Sequence, residues 1–326
     1  MPIIEFDHVA NFQRLTPDVP LLSARYQEWA AAAHAVVHGN TIHYFWGRKK
    51  VDNGWEIMHS YANAATPIEV QHDSKNPILR ASGDGFDNYG VEYPFPFHNP
   101  INGKNYIYYL GQRKKKPRIK QTGLLLSDPN WSCFRRISDE PVIGISEQYE
   151  LHGSSHPSAV VVDGLIHILY TAEAPRYFNT PGSLYNIPTI CYATASANNV
   201  EKIEKSETNP VFIGSGAKWD ERGVREAELL YDGTFFHVFY GGYDGKTWSI
   251  GHVRTTDFCS FEPNPNNPIF VPAPDVGRWD ADGLLTPQVF WLNGDLYMIY
   301  AGLRGHGWGK TAEVNTGLAV AIVKEG

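Results

Sequence analysis

Apolar and polar residues alternate along this chain in short bursts, and five of the bursts are alike: IHYFWG (42–47), YIYYLG (106–111), IHILYT (166–171), FHVFYG (236–241) and LYMIYAG (296–302). Short runs this rich in β-branched and aromatic residues read as strands. A head precedes each one: YQEWAAAAHA (26–35), FDNYGVEYPF (86–95), YELHGSSHPS (149–158), WDERGVREAELL (219–230) and WDADGLLTPQ (279–288). A third apolar segment follows each one: EIMHSYA (56–62), TGLLLS (122–127), TICYATA (189–195), SIGHVRT (249–255) and TGLAVAI (316–322). Four units then run into a short closer, NPIL (76–79), EPVI (140–143), NPVF (209–212) or NPIF (267–270), which is expected as the fourth strand.

The fifth unit ends with the chain, and its missing closer is available at the other end, where FQRLTPDVPLL (12–22) finishes in VPLL. Four short strands per unit, repeated at a period of about sixty residues, read as a β-propeller. The sequence therefore predicts an all-β, five-bladed β-propeller, its ring closed by the N-terminal strand pairing with the C-terminal blade. Such closure removes two sheet edges that would otherwise template aggregation. One ring uses residues 1–326, so a single domain is expected.

Composition agrees: the 326 residues are 42% hydrophobic and 13% aromatic, with 30 Gly and 22 Pro, as suits a turn-rich β chain. No apolar run approaches the roughly 18 residues of a membrane span. MPIIEFDHVANF lacks the basic start and apolar centre of a signal peptide, so a cytoplasmic location with no membrane partner is expected. Cys133, Cys191 and Cys259 show no CxxC spacing and read as thiols. A net charge of −7 argues against nucleic acid as a partner.

Strands alternate direction within an antiparallel blade, so the approaches to the first strands and the loops from second to third strands share one face. Those loops (48–55, 112–120, 173–188, 242–248 and 303–313) sum to +9, whereas the approaches (20–30, 81–92, 144–152, 214–226 and 272–282) sum to −7. An acidic centre inside a basic, aromatic rim is expected, with Arg113 and Trp308 on the rim, and such a rim would steer an anionic substrate.

The aromatic–acid pair of the heads recurs as Phe86-Asp87, Tyr149-Glu150, Trp219-Asp220 and Trp279-Asp280, with Gln27 in the remaining head. A role repeated in every unit reads as structural: the tryptophans packing between blades, the acids capping turns. What differs between heads is the better functional signal. With the heads aligned without gaps, the eighth place holds Tyr93, His156, Glu226, Thr286 and Ala33, and the seventh holds Glu92, Ser155, Arg225, Leu285 and Ala32. Glu92, His156, Arg225 and Glu226 are the non-repeated polar residues.

In its heads, aromatic second strands and closers, as in SIGHVRTTDFCSFEPNPNNPIF (249–270), the whole chain resembles the five-bladed propeller glycosidases, the group of family 43 with the related family 117 and family 130 enzymes. The family 43 pattern implies an inverting hydrolysis with an Asp base in the first blade, a pKa-tuning Asp in the third and a Glu acid in the fourth. The acid carries over onto Glu226 in REAELL, with Glu228 the near alternative. The other two do not: the first-blade Asp falls on AAAAH (30–34) around Ala32, and the third-blade Asp falls on His156. Glu28 or Asp282 is then the candidate base. His156 takes a proton-transfer role, holds a central ion such as Ca2+, or serves as a plain hydrogen-bonding partner; no other cofactor and no protein metal site is expected. Glu92, Tyr93, Arg225, Glu228, Arg113 and Trp308 are the candidate substrate-binding residues.

Three readings of function follow: a hydrolase acting on a carbohydrate-containing small molecule, a phosphorylase of the family 130 kind in which Arg113 or Arg225 holds phosphate as nucleophile, and a propeller that binds carbohydrate without turnover.

Overall fold

The computed structural model describes all residues except 1–2, 24–27, 51–53, 115–118, 174–186, 276, 306–312 and 322–326. It is all-β, with a few 3₁₀ turns. Among the described residues no helix is long and apolar enough to cross a membrane.

The strands fall into antiparallel units of four, numbered from the N-terminal strand β1 (Phe12–Arg14). Unit one holds β2 (Trp29–His38), β3 (Thr41–Lys49), β4 (Trp55–Asn63) and β5 (Gln71–His72). Unit two holds β6 (Gly90–Asn99), β7 (Lys104–Gln112), β8 (Lys120–Ser127) and β9 (Phe134–Arg136), and unit three β10 (Gly153–Val162), β11 (Leu165–Glu173), β12 (Thr189–Ser196) and β13 (Asn199–Lys205). Units two and three are joined into one sheet by a parallel bridge between Gly153 and Lys120. Unit four holds β14 (Val224–Tyr231), β15 (Phe236–Tyr243), β16 (Trp248–Thr255) and β17 (Glu262–Pro263). The last sheet is β18 (Gly283–Leu292), β19 (Asp295–Arg304), β20 (Glu313–Ala321) and β1, whose Phe12 pairs with Ala321.

First strands pack on first strands: β2 on β6, β6 on β10, β10 on β14, β14 on β18, and β18 on β2. The core lies between units, as where Phe95 and Tyr108 of unit two meet Ala159, Ile168 and Ala193 of unit three. Ile4, Val9 and Phe12 join Ile250, Phe270 and Met298 in another cluster.

The closers differ from expectation. Leu79, Ile143, Phe212, Phe270 and Leu22 each make only one antiparallel bridge to the third strand, and the outermost strand is the segment before the closer. Proline has no N–H to give a ladder, so a closer cannot pair along its length. In three units the preceding asparagine compensates. The Asn76 side-chain amide both accepts from the His59 N–H (2.7 Å) and donates to the His59 carbonyl (2.6 Å), and Asn209 and Asn267 do the same to Tyr192 and His252.

The head acids correct the expected charge pattern. Asp87, Glu150, Asp220 and Asp280 are buried and accept from the hydroxyls of Tyr109, Tyr170, Tyr240 and Tyr300 at 3.1, 2.7, 2.9 and 3.1 Å. Cations neutralise three of them: Arg136 on Asp87 (2.9 Å), Lys205 on Glu150 (2.7 Å) and Arg14 on Asp280 (2.6 Å). An unpaired buried carboxylate costs several kcal/mol, so these acids pair within the fold instead of making the centre acidic. Backbone N–H groups do cap Glu150 and Asp220, as expected. Trp279 lies over its own unit's Gly302 and Gly317, in a cluster that includes Ile250 and Phe270 of the unit before.

Candidate active site

Each first strand breaks its register with β3, β7, β11, β15 or β19 at one point: Ala31/His34, Glu92/Phe95, Ser155/Ser158, Arg225/Glu228 and Leu285/Gln288. The first of the two residues inside the break has left-handed backbone in every unit: Ala32 (φ 54°), Tyr93 (54°), His156 (54°), Glu226 (56°) and Thr286 (49°). This conformation costs a non-glycine residue about 1–2 kcal/mol, and a bulge of this kind re-aims side chains. Here it turns consecutive residues, such as Glu92 with Tyr93 and Arg225 with Glu226, into one central cavity of ≈ 480 Å³. The equivalent residue of the first head is Ala32, one place before the expected Ala33, because a run of alanines has no polar contrast to mark register.

Of the expected residues, Glu226, His156, Glu92, Arg225 and Tyr93 line this cavity. Glu228 lies beneath them, buried, with Ser158 donating to its carboxyl at 3.1 Å and His34 Nε2 at 3.9 Å. Glu28, Asp282 and Arg113 are not among the lining residues: Glu28 is half-buried before β2, Asp282 accepts from the Gly305 N–H at 2.7 Å, and Arg113 is exposed. Neither candidate base therefore reaches the cavity, since the fourth place of a head lies outside the bulge. Trp308 lies outside the described residues.

The structure adds Glu173, Lys120 and Gln112 to the cavity. All three fall within loop segments expected on the rim, yet they sit at the ends of β11, β8 and β7. One oxygen of Glu173 collects Ser155 Oγ (2.9 Å), Lys120 Nζ (3.0 Å) and an Arg225 guanidinium nitrogen (3.4 Å). Arg225 Nε also lies 2.8 Å from Glu226 Oε1, so one guanidinium bridges two carboxylates. Gln112 donates to Glu92.

Environment separates these carboxyls. Burial works to raise Glu173, but Lys120 and Arg225 outweigh it and hold the group well below the usual carboxylate range. Burial raises Glu226 against the opposing pull of Arg225 and Lys120. It raises Glu92 too, reinforced by the charges of Glu173 and Glu226. Burial, with Arg225 and Lys120 nearby, depresses His156 well below its ordinary value, so the ring is neutral. Its proton can be placed. Ser155 donates to Glu173 and lies 2.6 Å from His156 Nδ1, so Nδ1 carries the hydrogen and Nε2 is left as an acceptor, 3.4 Å from Glu226 Oε1. A protonated Glu226 complements that acceptor. Its other oxygen accepts from the Thr286 N–H at 3.1 Å. Among the described residues, no group of three or more His, Cys, Asp or Glu side chains is set to hold a metal ion.

No family profile matches the chain. A curated β-1,2-mannobiose phosphorylase of Thermoanaerobacter sp. (strain X514) is 26% identical over 105 residues, covering 28% of this chain and 33% of that one, so the match spans only a third of that relative. Solved structures match over nearly the whole chain. BT0996, in its RGII complex, has a TM-score of 0.75 at 11% identity, covering 99% of this chain and 97% of that one. A GH130-family glycoside hydrolase structure, from work on β-1,2-mannosidic linkages in Candida mannan, has 0.65 at 12% identity, covering 98% and 95%. The GH62 α-L-arabinofuranosidase catalytic domain of Coprinopsis cinerea has 0.62 at 14% identity, covering 95% and 97%. The chain thus shares the propeller-type fold of glycoside hydrolases of families 43, 62 and 130.

Proposed function

We propose that this chain is a glycosidase that cleaves a sugar-containing substrate in the central cavity by acid–base catalysis. Glu226 gives its proton to the leaving oxygen and Glu92 activates the attacking water. Burial raises both carboxyls, and different partners set them apart, so that one can act as acid while the other acts as base. Gln112 donates to Glu92 and favours its ionised form, whereas the neutral His156 faces Glu226 with an acceptor. Glu173 stays ionised and orients Arg225 and Lys120. The observation that carries this reading is the Glu226 carboxyl: buried, raised in pKa, and turned into the cavity where the other units present Ala32, Tyr93, His156 and Thr286.

The frame we infer is a single five-bladed propeller closed by the N-terminal strand, supported by the β1–β20 pairing and by the packing of β18 on β2. The named activities of the structural neighbours support a glycoside as substrate. A second reading, phosphorolysis, is favoured by Lys120 and Arg225 in the cavity and by the phosphorylase match; product release that requires inorganic phosphate would select it.

Glu226→Gln keeps volume but removes the transferable proton. It should cost about 10²- to 10⁴-fold in kcat on an alkyl glycoside and far less on an activated aryl glycoside, whose leaving group needs no proton. Equal losses on both substrates would remove Glu226 from the acid's role.

A further inference from the structure

The cavity is divided, and the division bears on what leaves from it. Its charged and polar groups come mainly from units two, three and four: Glu92, Gln112, Lys120, His156, Glu173 and Arg225. Among the described residues, the side formed by units five and one is mainly apolar, and its apolar residues form a continuous cluster. Trp29, Ala31, Leu285, Leu303 and Val314 pack together there, with Trp55 against them. The two indoles meet edge to face at 6.0 Å. Among the described lining residues, the cation on this side is Lys49, which lies over the Trp29 ring at 3.4 Å from its centroid. The bulge that supplies Glu92 with Tyr93 and Arg225 with Glu226 supplies Ala31 with Ala32 in unit one and Leu285 with Thr286 in unit five.

Glu226 stands at the border. Its Oε1 faces Arg225 and His156 on the polar side, and its Oε2 accepts from the backbone N–H of Thr286 on the apolar side. A general acid protonates the oxygen of the leaving group, so that oxygen sits at Glu226 on the border, and a sugar held by the polar groups on one side leaves the apolar wall to the aglycone. Sugar hydroxyls placed against that wall would give up their hydrogen bonds to water without replacement, whereas hydrocarbon would gain from burial.

We propose that the substrate is a glycoside of an apolar aglycone, an alkyl or aryl alcohol, with the sugar on the Glu92–Glu173–Arg225 side and the aglycone against Trp29, Leu285, Leu303 and Val314. This rests on the reading of Glu226 as the acid, and it accounts for the alanines that stand where the family pattern has a carboxylate: unit one contributes a surface, not a base.

The test is binding to Glu226→Gln protein, measured by titration calorimetry with the methyl and n-butyl glycosides of mannose, galactose, glucose, xylose and arabinose and with disaccharides carrying the same sugars. Burial of each methylene should raise affinity about fourfold, so for at least one sugar the butyl glycoside should bind tens of times more tightly than the methyl glycoside, and more tightly than any disaccharide. Leu285→Asn should remove at least tenfold of that advantage and spare the methyl glycoside; should that variant fail to fold, Ala31→Ser should take away several-fold in the same selective way. Butyl-to-methyl ratios near one for every sugar, or tightest binding by a disaccharide, would overturn the proposal. Acid catalysis is read separately from turnover by the unsubstituted protein, so flat ratios beside a full dependence on Glu226 defeat this inference alone.

Discussion

If Glu226 and Glu92 act as the proposed acid and base, replacing Glu173 by Gln should move the whole pH profile of activity toward acid. Glu173 and Glu226 share one guanidinium, which brings their charges close together. At a separation of about 6 Å and the effective dielectric of about 20 that suits such pairs, a full charge contributes roughly 2–3 kcal/mol, or one to two pH units after partial screening. Glu173 raises both Glu226 and Glu92, so removing its charge lets both carboxyls lose protons at lower pH. His156 does not complicate the profile: Glu173 is a group that raises it, and the ring, already neutral, becomes harder to protonate. In a plot of kcat/KM against pH, which reports the free enzyme, the Glu226 proton loss on the alkaline limb and the Glu92 protonation on the acid limb should each fall by about one to two units. A profile that stays in place, or moves toward alkali, would refute the coupling of these three carboxyls. Stability supplies the control. Glu173 has a depressed pKa, so its contribution is present above the ordinary carboxylate range and is lost as pH falls below it. The variant should be less stable at neutral pH by about 2 kcal/mol, less than the roughly 3–5 kcal/mol of a broken buried pair because the side chain keeps 18% of its surface exposed and Gln keeps an acceptor. Its stability should also decline less on acidification than that of the unsubstituted protein.

Arg14→Met removes the cation from the fully buried Asp280 and loosens β1 from β20; because Arg278 remains 3.4 Å away, a loss of about 3 kcal/mol and a melting temperature lower by roughly 5 °C are expected. Calorimetry that finds no shift would detach the N-terminal strand from the last sheet. Burial raises Glu228 well above the carboxylate range, so its ionisation opposes folding and stability is lost as pH rises through its folded value. Glu228→Gln should therefore match the parent in urea unfolding at about pH 5 and exceed it at about pH 9, and equal midpoints at both would mean the group is not neutral when folded. Replacing the exposed Arg113 and Lys114 by Ser should lower kcat/KM on an anionic glycoside and flatten its salt dependence, with no change on a neutral one; identical salt curves would leave these residues as solvated loop.

The strands, their grouping in fours, and the heads were legible because each depends on contrast between neighbours in the chain. Alternation marks strands, and comparison of heads singled out Glu92, His156, Arg225 and Glu226, all of which reach the cavity. Where local contrast failed, so did the reading: four alanines carry no register, and the proline closers look like strands although they lack the donors to be strands. Glu173, Lys120 and Gln112 could not be assigned from sequence, because each is an ordinary polar residue at the end of a strand. Only the packing of one unit on the next brings β7, β8 and β11 to the same point. The protonation states were decided there as well. Nothing within REAELL distinguishes a carboxyl raised by burial from one depressed by cations, since both depend on groups that arrive from other units. Sequence determined which side chains differ between units; tertiary structure decided which of them meet, how dry they are, and so what chemistry they can do.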